Sequence, residues 1–338
     1  MTNSQILGSL YGMALGDALG AVTEFLSVAE IKQRFPPDGP QSPSGNPAKV
    51  TDDTQMALAV GQALMNAPRP LSATTLTPPL TDAFIAWYHD PENNRAPGMT
   101  CLTSIERLIN WPDRLHDWPQ ATNMTSKGCG ANMRVMPVGL LNVDSQTRAG
   151  IAQLQAAITH AHPTALAASD LTAFVIADLL AGNGVDRLLN RTLDYATAQC
   201  EVYHQTWLGD LWRQSVIDDS PIDYIARGWD ETITALNRVE SALRTADVET
   251  DPCLATGAGW IAEEALATAL YCFLMFPDDA AAVLRRAACT SGDSDSIACI
   301  AGSFVGAYLG AGCWNSDWIS RLEYRPEIET LADWLAAA

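Results

Sequence analysis

Positive charge is scarce in this sequence of 338 residues. Lysine and arginine together number 20 against 39 aspartates and glutamates, so the formal net charge is −19 and the pI is near 4.4. A chain this acidic is a poor match for the phosphate backbone of DNA or RNA, although it can still hold a local basic pocket. We therefore expect no nucleic acid among its partners.

Cysteine pairs with the spacing of a metal or redox motif are also missing. The eight cysteines, at positions 101, 129, 200, 253, 272, 289, 299 and 313, include no Cys-x-x-Cys pair, and no histidine stands at zinc-finger spacing. This pattern predicts reduced, mostly buried thiols. The first five residues lack the basic region of a secretory signal peptide, so we expect a cytoplasmic protein.

No stretch of useful length alternates apolar and polar residues, which predicts a mainly α-helical chain. Residues 297–314 are apolar enough to raise the question of a membrane span. They are rich in glycine, alanine, serine and cysteine and follow two aspartates, which instead favours a central helix buried on all sides. We expect no membrane partner.

Glycine recurs at every fourth position in two places, at 8, 12, 16 and 20 and again at 302, 306 and 310. On a helix this spacing forms one smooth ridge that allows a second backbone to approach closely. Each interior glycine costs about 1 kcal/mol relative to alanine. We therefore expect these two helices to cross near the centre of the fold.

Further helices are predicted for residues 54–66 and 80–88. Two loops rich in proline separate the helical segments, one at residues 36–47 and one at 68–79. The polar residues 90–101 show no periodicity and predict a loop, which is either a plain connector or part of a ligand site.

Two clusters of hydroxyl and carboxylate residues stand directly before predicted helices. The first contains Thr51, Asp52 and Asp53, and the second Asp293, Asp295 and Ser296. Either cluster alone is equally well explained as a helix N-cap. Together they suit a hard divalent cation, and they would share one or two ions if the helix ends meet. Glu24 is a further candidate carboxylate, or else a solvated helix-end charge.

The segment Ser126-Lys127-Gly128-Cys129-Gly130 precedes a predicted helix that runs to residue 143. Its glycines favour a nest of backbone N–H groups that binds phosphate or another anion. Arg134 is predicted to be buried and to hold a metal-site carboxylate. His160, just before a turn, is either structural or a donor to phosphate.

Four motifs occur in a fixed order: GDALG at residues 16–20 with Glu24, TDDT at 51–54, SKGCGANMR at 126–134 and GDSDS at 292–296. Together with Thr159 and His160 they resemble the ADP-ribosylglycohydrolase family over about residues 5–312. The resemblance implies an all-α fold, a single multi-helix domain over residues 1–338, with a central dinuclear metal site.

The resemblance also implies roles for individual residues. Two Mg²⁺ ions, or Mn²⁺, would be bound by Thr51, Asp52, Asp53, Asp293, Asp295 and Ser296. The catalytic candidates are Glu24, Asp53 and Asp293. The pyrophosphate of ADP-ribose would lie on the loop of Ser126, Lys127, Gly128, Cys129 and Gly130, in contact with His160.

The implied activity is metal-dependent hydrolysis of the N-glycosidic bond of ADP-ribosylated arginine, with an ADP-ribosylated protein and ADP-ribose as partners. The alternatives are another linkage (serine, O-acetyl-ADP-ribose or a nucleic-acid end) and a non-catalytic ADP-ribose-binding or structural protein. Two positions depart from the family pattern. Ser296 replaces a common threonine and keeps the hydroxyl group. Met99 follows Gly98 where the nitrogenase-regulating members have an aspartate, so no role of that aspartate carries over.

Overall fold

Helices make up the regular secondary structure of the computed structural model, which describes residues 2–111 and 114–337. In chain order the helices are Asn3–Gly20 (α1), Val28–Arg34 (α2), Asp52–Asn66 (α3), Ala73–Tyr88 (α4), Met99–Ile109 (α5), Arg114–Ala121 (α6), Met136–Gly139 (α7), Ser145–Ala157 (α8), Pro163–Leu180 (α9), Leu188–Gln199 (α10), Gln205–Leu208 (α11), Pro221–Thr245 (α12), Pro252–Thr256 (α13), Ala262–Met275 (α14), Ala280–Ala288 (α15), Ser294–Leu309 (α16), Ser316–Arg321 (α17) and Arg325–Ala337 (α18). Short 3-10 turns lie at Cys129–Ala131, Val185–Arg187, Leu211–Gln214 and Ala311–Cys313.

The all-α prediction is confirmed. Over the described ranges there is no β-strand, and three isolated bridges join Ala48 to Leu322, Asn123 to His160 and Gly128 to Ile261. The predicted domain bounds, residues 1 and 338, lie outside the described residues.

Helices α1 and α16 pack against each other, in antiparallel directions, at the centre of the fold. A Cβ atom added to Gly12 would lie 2.0 Å from the carbonyl oxygen of Gly302, and one added to Gly16 would lie 2.0 Å from that of Ala298. Both distances are far below van der Waals contact, so only glycine allows the backbones to come this close. The two glycine ridges therefore meet, as the sequence predicts.

This antiparallel register places the end of α1 beside the start of α16. A Cβ atom on Gly20 would lie 2.4 Å from the Ser294 carbonyl oxygen. The hydroxyl groups of Thr23 and Ser294 are hydrogen-bonded at 3.0 Å. Residues just after α1 are thus held against the aspartates at the start of α16.

A loop was predicted over residues 68–79, and this prediction is wrong for residues 73–79, which are helical. Helix α4 begins at Ala73 because Ser72 caps it: the Ser72 hydroxyl accepts the Thr75 N–H while the Ser72 N–H donates to Thr75. Pro78 and Pro79 lie inside the helix. Burial of Leu76 and Leu80 outweighs the backbone hydrogen bonds that the two prolines cannot donate.

Helix α9 is long and apolar enough, by length and composition alone, to cross a membrane, with a mean hydropathy of 1.4 over its 18 residues. In the folded protein, 83% of this window is buried. Such burial is typical of a core helix, which passes the same test.

The close approach of α1 and α16 predicts that Gly12→Ala destabilises the protein by about 2 kcal/mol or more, because the added methyl group forces the two backbones apart. Unfolding in urea, followed by circular dichroism, measures the change. The matched control is Gly184→Ala, where an added Cβ meets nothing within 4 Å. Equal unfolding midpoints for the two variants would contradict the close packing.

Candidate metal centre and adjoining cleft

A cleft of about 340 Å³ opens where α1 ends and α3 and α16 begin. Both predicted clusters line it, with Asp52 and Asp53 on one side and Asp293, Asp295 and Ser296 on the other, and Glu24 beside them. One carboxylate oxygen from each of Glu24, Asp293 and Asp295 lies within 4.8 Å of the other two. The fold therefore brings together two acidic clusters that lie far apart in the sequence.

The first cluster is held in place by the start of α3. Thr51 is the N-cap residue, and its hydroxyl oxygen accepts the Asp53 N–H at 3.3 Å. Asp52 is fixed from the other side, because the Gly98 N–H donates to its Oδ2 at 3.2 Å. In the second cluster, burial raises the pKa of Asp295, and the neighbouring hydrogen bonds from Asp293 and from the Ser296 N–H only partly oppose this rise.

Asp17 organises this turn, although the sequence analysis assigned it no role. Its Oδ1 accepts the N–H and the hydroxyl of Thr51 at 2.9 and 2.8 Å, and its Oδ2 accepts the N–H of Thr54 at 3.0 Å and the Thr54 hydroxyl. The sequence indicates this role through a carboxylate within the apolar stretch Leu15–Leu19. A carboxylate buried in such a stretch needs hydrogen-bond donors for its oxygens.

Crowding of buried carboxylates dominates the electrostatics of the cleft. Burial, and then the charge of Asp295, raises the pKa of Asp17 to about 7, of Asp52 to about 8 and of Glu24 to about 9. The pKa values of Asp53 and Asp293 are raised well above the usual range for the same reasons. This many carboxylates cannot all ionise together unless a cation compensates them.

The residues present fit a hard divalent cation. Asp53 Oδ2 is buried and has no hydrogen-bond partner among the residues that the structure describes. The neighbouring donors are carboxylate and hydroxyl oxygens, the ligand type that Mg²⁺ and Mn²⁺ prefer. The Thr51 hydroxyl donates its proton to Asp17 and accepts the Asp53 N–H, which leaves one oxygen lone pair available for a metal. The six ligand assignments, and the catalytic roles of Glu24, Asp53 and Asp293, stay predictions.

The predicted phosphate loop lies along the same cleft. Gly128, Cys129 and Gly130 line it together with His160. A Cβ atom on Gly130 would lie 3.3 Å from His160 Nε2 and 2.8 Å from the sulfur of Cys101, so the loop passes close to the imidazole. Burial, and then the nearby Arg134 charge, lowers the pKa of His160 well below its usual value, and the ring is therefore neutral at pH 7.

Two neighbours of this loop differ from expectation. Ser126 does not line the cleft itself, but its hydroxyl is hydrogen-bonded at 2.9 Å to that of Thr100, which does. Lys127 donates to Glu231 at 2.7 Å and to Glu263. The ammonium group is thus held in ion pairs outside the cleft lining, and the predicted contact between Lys127 and substrate gains no support.

Two predictions around Arg134 are wrong. The loop leads into a 3-10 turn and the short helix α7, not into a helix that runs to residue 143. The Arg134 guanidinium donates to the side chain and carbonyl of Gln155 at 2.8 and 2.6 Å and to the Thr159 hydroxyl, and it lies 4.3 Å from the centre of the Phe84 ring. Arg134 therefore stabilises the segment that carries His160, and its hydrogen-bond partners in the described part of the chain include no carboxylate.

A family model described as ADP-ribosylglycohydrolase matches residues 2–338, so this chain belongs to the ADP-ribosylglycohydrolase family. Members of this family hydrolyse ADP-ribose linkages. The resemblance inferred from the four motifs is thereby confirmed.

Individual relatives agree with this assignment. The chain is 28% identical to human ADP-ribosylhydrolase ARH3 over 97% of its own length and 92% of the relative. It is 29% identical to the ADP-ribosyl-[dinitrogen reductase] glycohydrolase of Rhodospirillum rubrum over 54% of its own length and 60% of that protein. A solved structure, an "ADP-ribosylglycohydrolase-related protein complex", superposes with a TM-score of 0.64 at 25% identity and covers 99% of this chain.

The hydrogen bonds of Asp17 predict that Asp17→Asn lowers the affinity for Mg²⁺ or Mn²⁺ by about tenfold to a hundredfold, because an amide cannot accept every bond that orients Thr51 and Thr54. Calorimetric titration of the metal-free protein measures this affinity. The matched control is Asp170→Asn, a second buried aspartate whose partners are Gln153 and Tyr195. Unchanged metal affinity in Asp17→Asn would rule out the positioning role.

The raised carboxylate pKa values predict how pH affects the metal-free protein. The folded state keeps protons on Asp52 and Glu24 that the unfolded chain releases near pH 4, so stability must fall as pH rises through the folded pKa values of about 8 and 9. We expect the Tm in EDTA to decrease from about pH 7 to 8, below the pKa of about 8.5 at which a free thiol is half ionised.

Adding Mg²⁺ should flatten this pH dependence, since the cation takes over the compensation that protons provide. Glu24→Gln should also reduce the slope, whereas Glu30→Gln, which replaces a surface carboxylate, should not. A Tm in EDTA that is constant or rises over this interval would contradict the electrostatic account.

Proposed function

We propose that this protein removes ADP-ribose from arginine by hydrolysing the N-glycosidic bond between the distal ribose and the guanidino nitrogen. The observation that carries the proposal is a single cleft lined by the acidic clusters, the loop Gly128–Gly130 and His160. The acidic end fits cations and the reacting ribose. The glycine loop and the neutral imidazole fit a pyrophosphate, because they bring no carboxylate to that end of the cleft.

The residues at the acidic end divide into two roles. Thr51, Asp52, Asp53, Asp293, Asp295 and Ser296 would hold two Mg²⁺ ions, which supply Lewis-acid polarisation of water and of the ribose hydroxyl groups. Glu24 is half-buried at the cleft wall and remains accessible to a water molecule. We assign it as the general base, ionised once bound cations compensate the neighbouring carboxylates, with Asp53 as the alternative.

In the proposed hydrolysis, one proton moves from water through Glu24 to the leaving nitrogen. A water oxygen adds to the anomeric carbon while its proton passes to a carboxylate oxygen of Glu24. The bond from carbon to nitrogen breaks, and its electron pair goes to the guanidino nitrogen. The proton returns from Glu24 to this nitrogen, which gives ADP-ribose and an arginine guanidinium. The carboxylates of the cleft stabilise the positive charge that develops on the ribose.

The arginine linkage is supported by charge and by relatives. A carboxylate-rich cleft attracts a guanidinium but gives no such advantage to a serine hydroxyl. Among the relatives is the ADP-ribosylarginine hydrolase Tri1 of Serratia proteamaculans, 26% identical over 53% of this chain and 48% of that protein.

A second candidate is the same hydrolysis at a different linkage. The ARH3 match spans nearly the whole chain and the name of that relative states no linkage, whereas the relatives named for nitrogenase reductase and arginine match only about half of it. Met99 at the cleft wall also lacks the carboxylate found in the nitrogenase-regulating members. A less polar leaving group would fit that position.

The two candidates predict different outcomes in a panel of peptides modified on arginine or serine, together with O-acetyl-ADP-ribose. We expect kcat/KM to be at least about tenfold higher for the arginine linkage with Mg²⁺, a difference of about 1.4 kcal/mol in the transition state. EDTA and Asp293→Ala should each abolish turnover. Equal or inverted rates would replace the first candidate with the second, and full activity in EDTA would refute the metal assignment.

A further inference from the structure

Three large apolar side chains are exposed at the mouth of the metal cleft. Phe25 is 67% exposed, Met99 70% and Trp260 42%, and all three line this cleft. Exposed apolar groups scattered singly need no explanation, but a group of them at the rim of a site indicates contact with a ligand.

The rings of Phe25 and Trp260 are stacked on each other, with centroids 5.5 Å apart and an interplanar angle of 17°. They come from distant parts of the chain and line the same cleft as the carboxylates. Phe25 directly follows Glu24 and has a left-handed backbone with φ of 64°. Few non-glycine residues hold this conformation, and those that do are often at functional sites.

The backbone around Trp260 is fixed to both halves of the cleft. The Trp260 carbonyl accepts the N–H of Cys129 at 3.1 Å, and the Ala258 carbonyl accepts the N–H of Asp293 at 2.8 Å. One short segment therefore ties the phosphate loop, a predicted metal ligand and the aromatic pair together. The backbone of Trp260 is therefore anchored at the site, and its ring stacks on Phe25.

An aromatic face beside carboxylates has the chemistry of a guanidinium site. A guanidinium is planar and weakly hydrated, so it stacks on aromatic rings while its N–H groups point to acidic oxygens. We propose that Phe25 and Trp260 form the binding face for the guanidinium of the modified arginine. This inference rests on the proposed function and names the residues that would select its leaving group.

The adenine base is the other planar group in the substrate. The ring pair, however, adjoins Glu24 and the segment bonded to Asp293, where the glycosidic bond would react. Adenine lies at the opposite end of ADP-ribose, beyond the second ribose and two phosphates. The location of the rings therefore favours the leaving group over the base.

The test is calorimetric titration of agmatine, a small alkylguanidinium, into the Mg²⁺-loaded protein saturated with ADP-ribose. We expect Trp260→Leu and Phe25→Leu each to weaken agmatine binding about threefold to thirtyfold, the range of a cation–aromatic contact. Trp260→Tyr and Phe25→Tyr keep an aromatic ring and should retain most of the affinity. The matched control is Trp111→Leu, whose side chain is 38% exposed and does not line the cleft.

Kinetics on the same variants give a second readout. Trp260→Leu should raise KM for the arginine-modified peptide by a similar factor and leave the affinity for ADP-ribose within about twofold. The proposal would be overturned if agmatine binding to the wild-type enzyme is undetectable. It would also be overturned if agmatine binds Trp260→Leu as tightly as the wild-type enzyme. A large loss of ADP-ribose affinity would overturn it as well, because the rings would then hold the base.

These outcomes separate the inference from the proposed function. If the wild-type enzyme cleaves the arginine linkage while Trp260→Leu leaves agmatine binding unchanged, the proposed function stands and the aromatic binding face is refuted. If agmatine binds through Trp260 but the arginine linkage is not cleaved, the face stands and the proposed linkage fails.

Discussion

The structure depends on the contact between the backbones of α1 and α16. Glycine and alanine along the two helices allow a very close approach. A Cβ atom added to Gly12 or Gly16 would lie only 2.0 Å from a carbonyl oxygen of the opposite helix. Because the helices run in opposite directions, this contact fixes which ends meet. Glu24 and Asp17 are thereby held beside Asp293 and Asp295. The register of the two helices therefore determines which carboxylates form the site.

A second constraint follows from the first, since the register forces carboxylates into a buried space. Asp17, Asp53 and Asp295 are fully buried and their pKa values are raised. Asp17 accepts hydrogen bonds from the Thr51–Thr54 turn, whereas one oxygen of Asp53 has no hydrogen-bond partner in residues 2–111 and 114–337. The protein thus tolerates a strained electrostatic arrangement that a divalent cation would relieve, at the position where the substrate ribose is expected to bind.

Errors in the sequence analysis have a common physical origin. The prolines at 78 and 79 indicated a loop, but burial of the surrounding helix outweighed their local preference. Arg134 was assigned to a carboxylate of the metal site because its apolar neighbours in the sequence predict burial close to the glycine loop. Its partner is Gln155, which comes from α8. No local pattern reveals a partner on another helix.

The sequence by itself determined the helical class, the two glycine ridges, the two oxygen-rich clusters and the family. Each of these features depends on residues that are close together along the chain. Only the tertiary structure decided that Asp17 supports the Thr51–Thr54 turn, that Lys127 is held away from the cleft, and that Phe25 stacks on Trp260. Each of these depends on a contact between distant segments, which is set by how the helices pack and not by the spacing of residues within them.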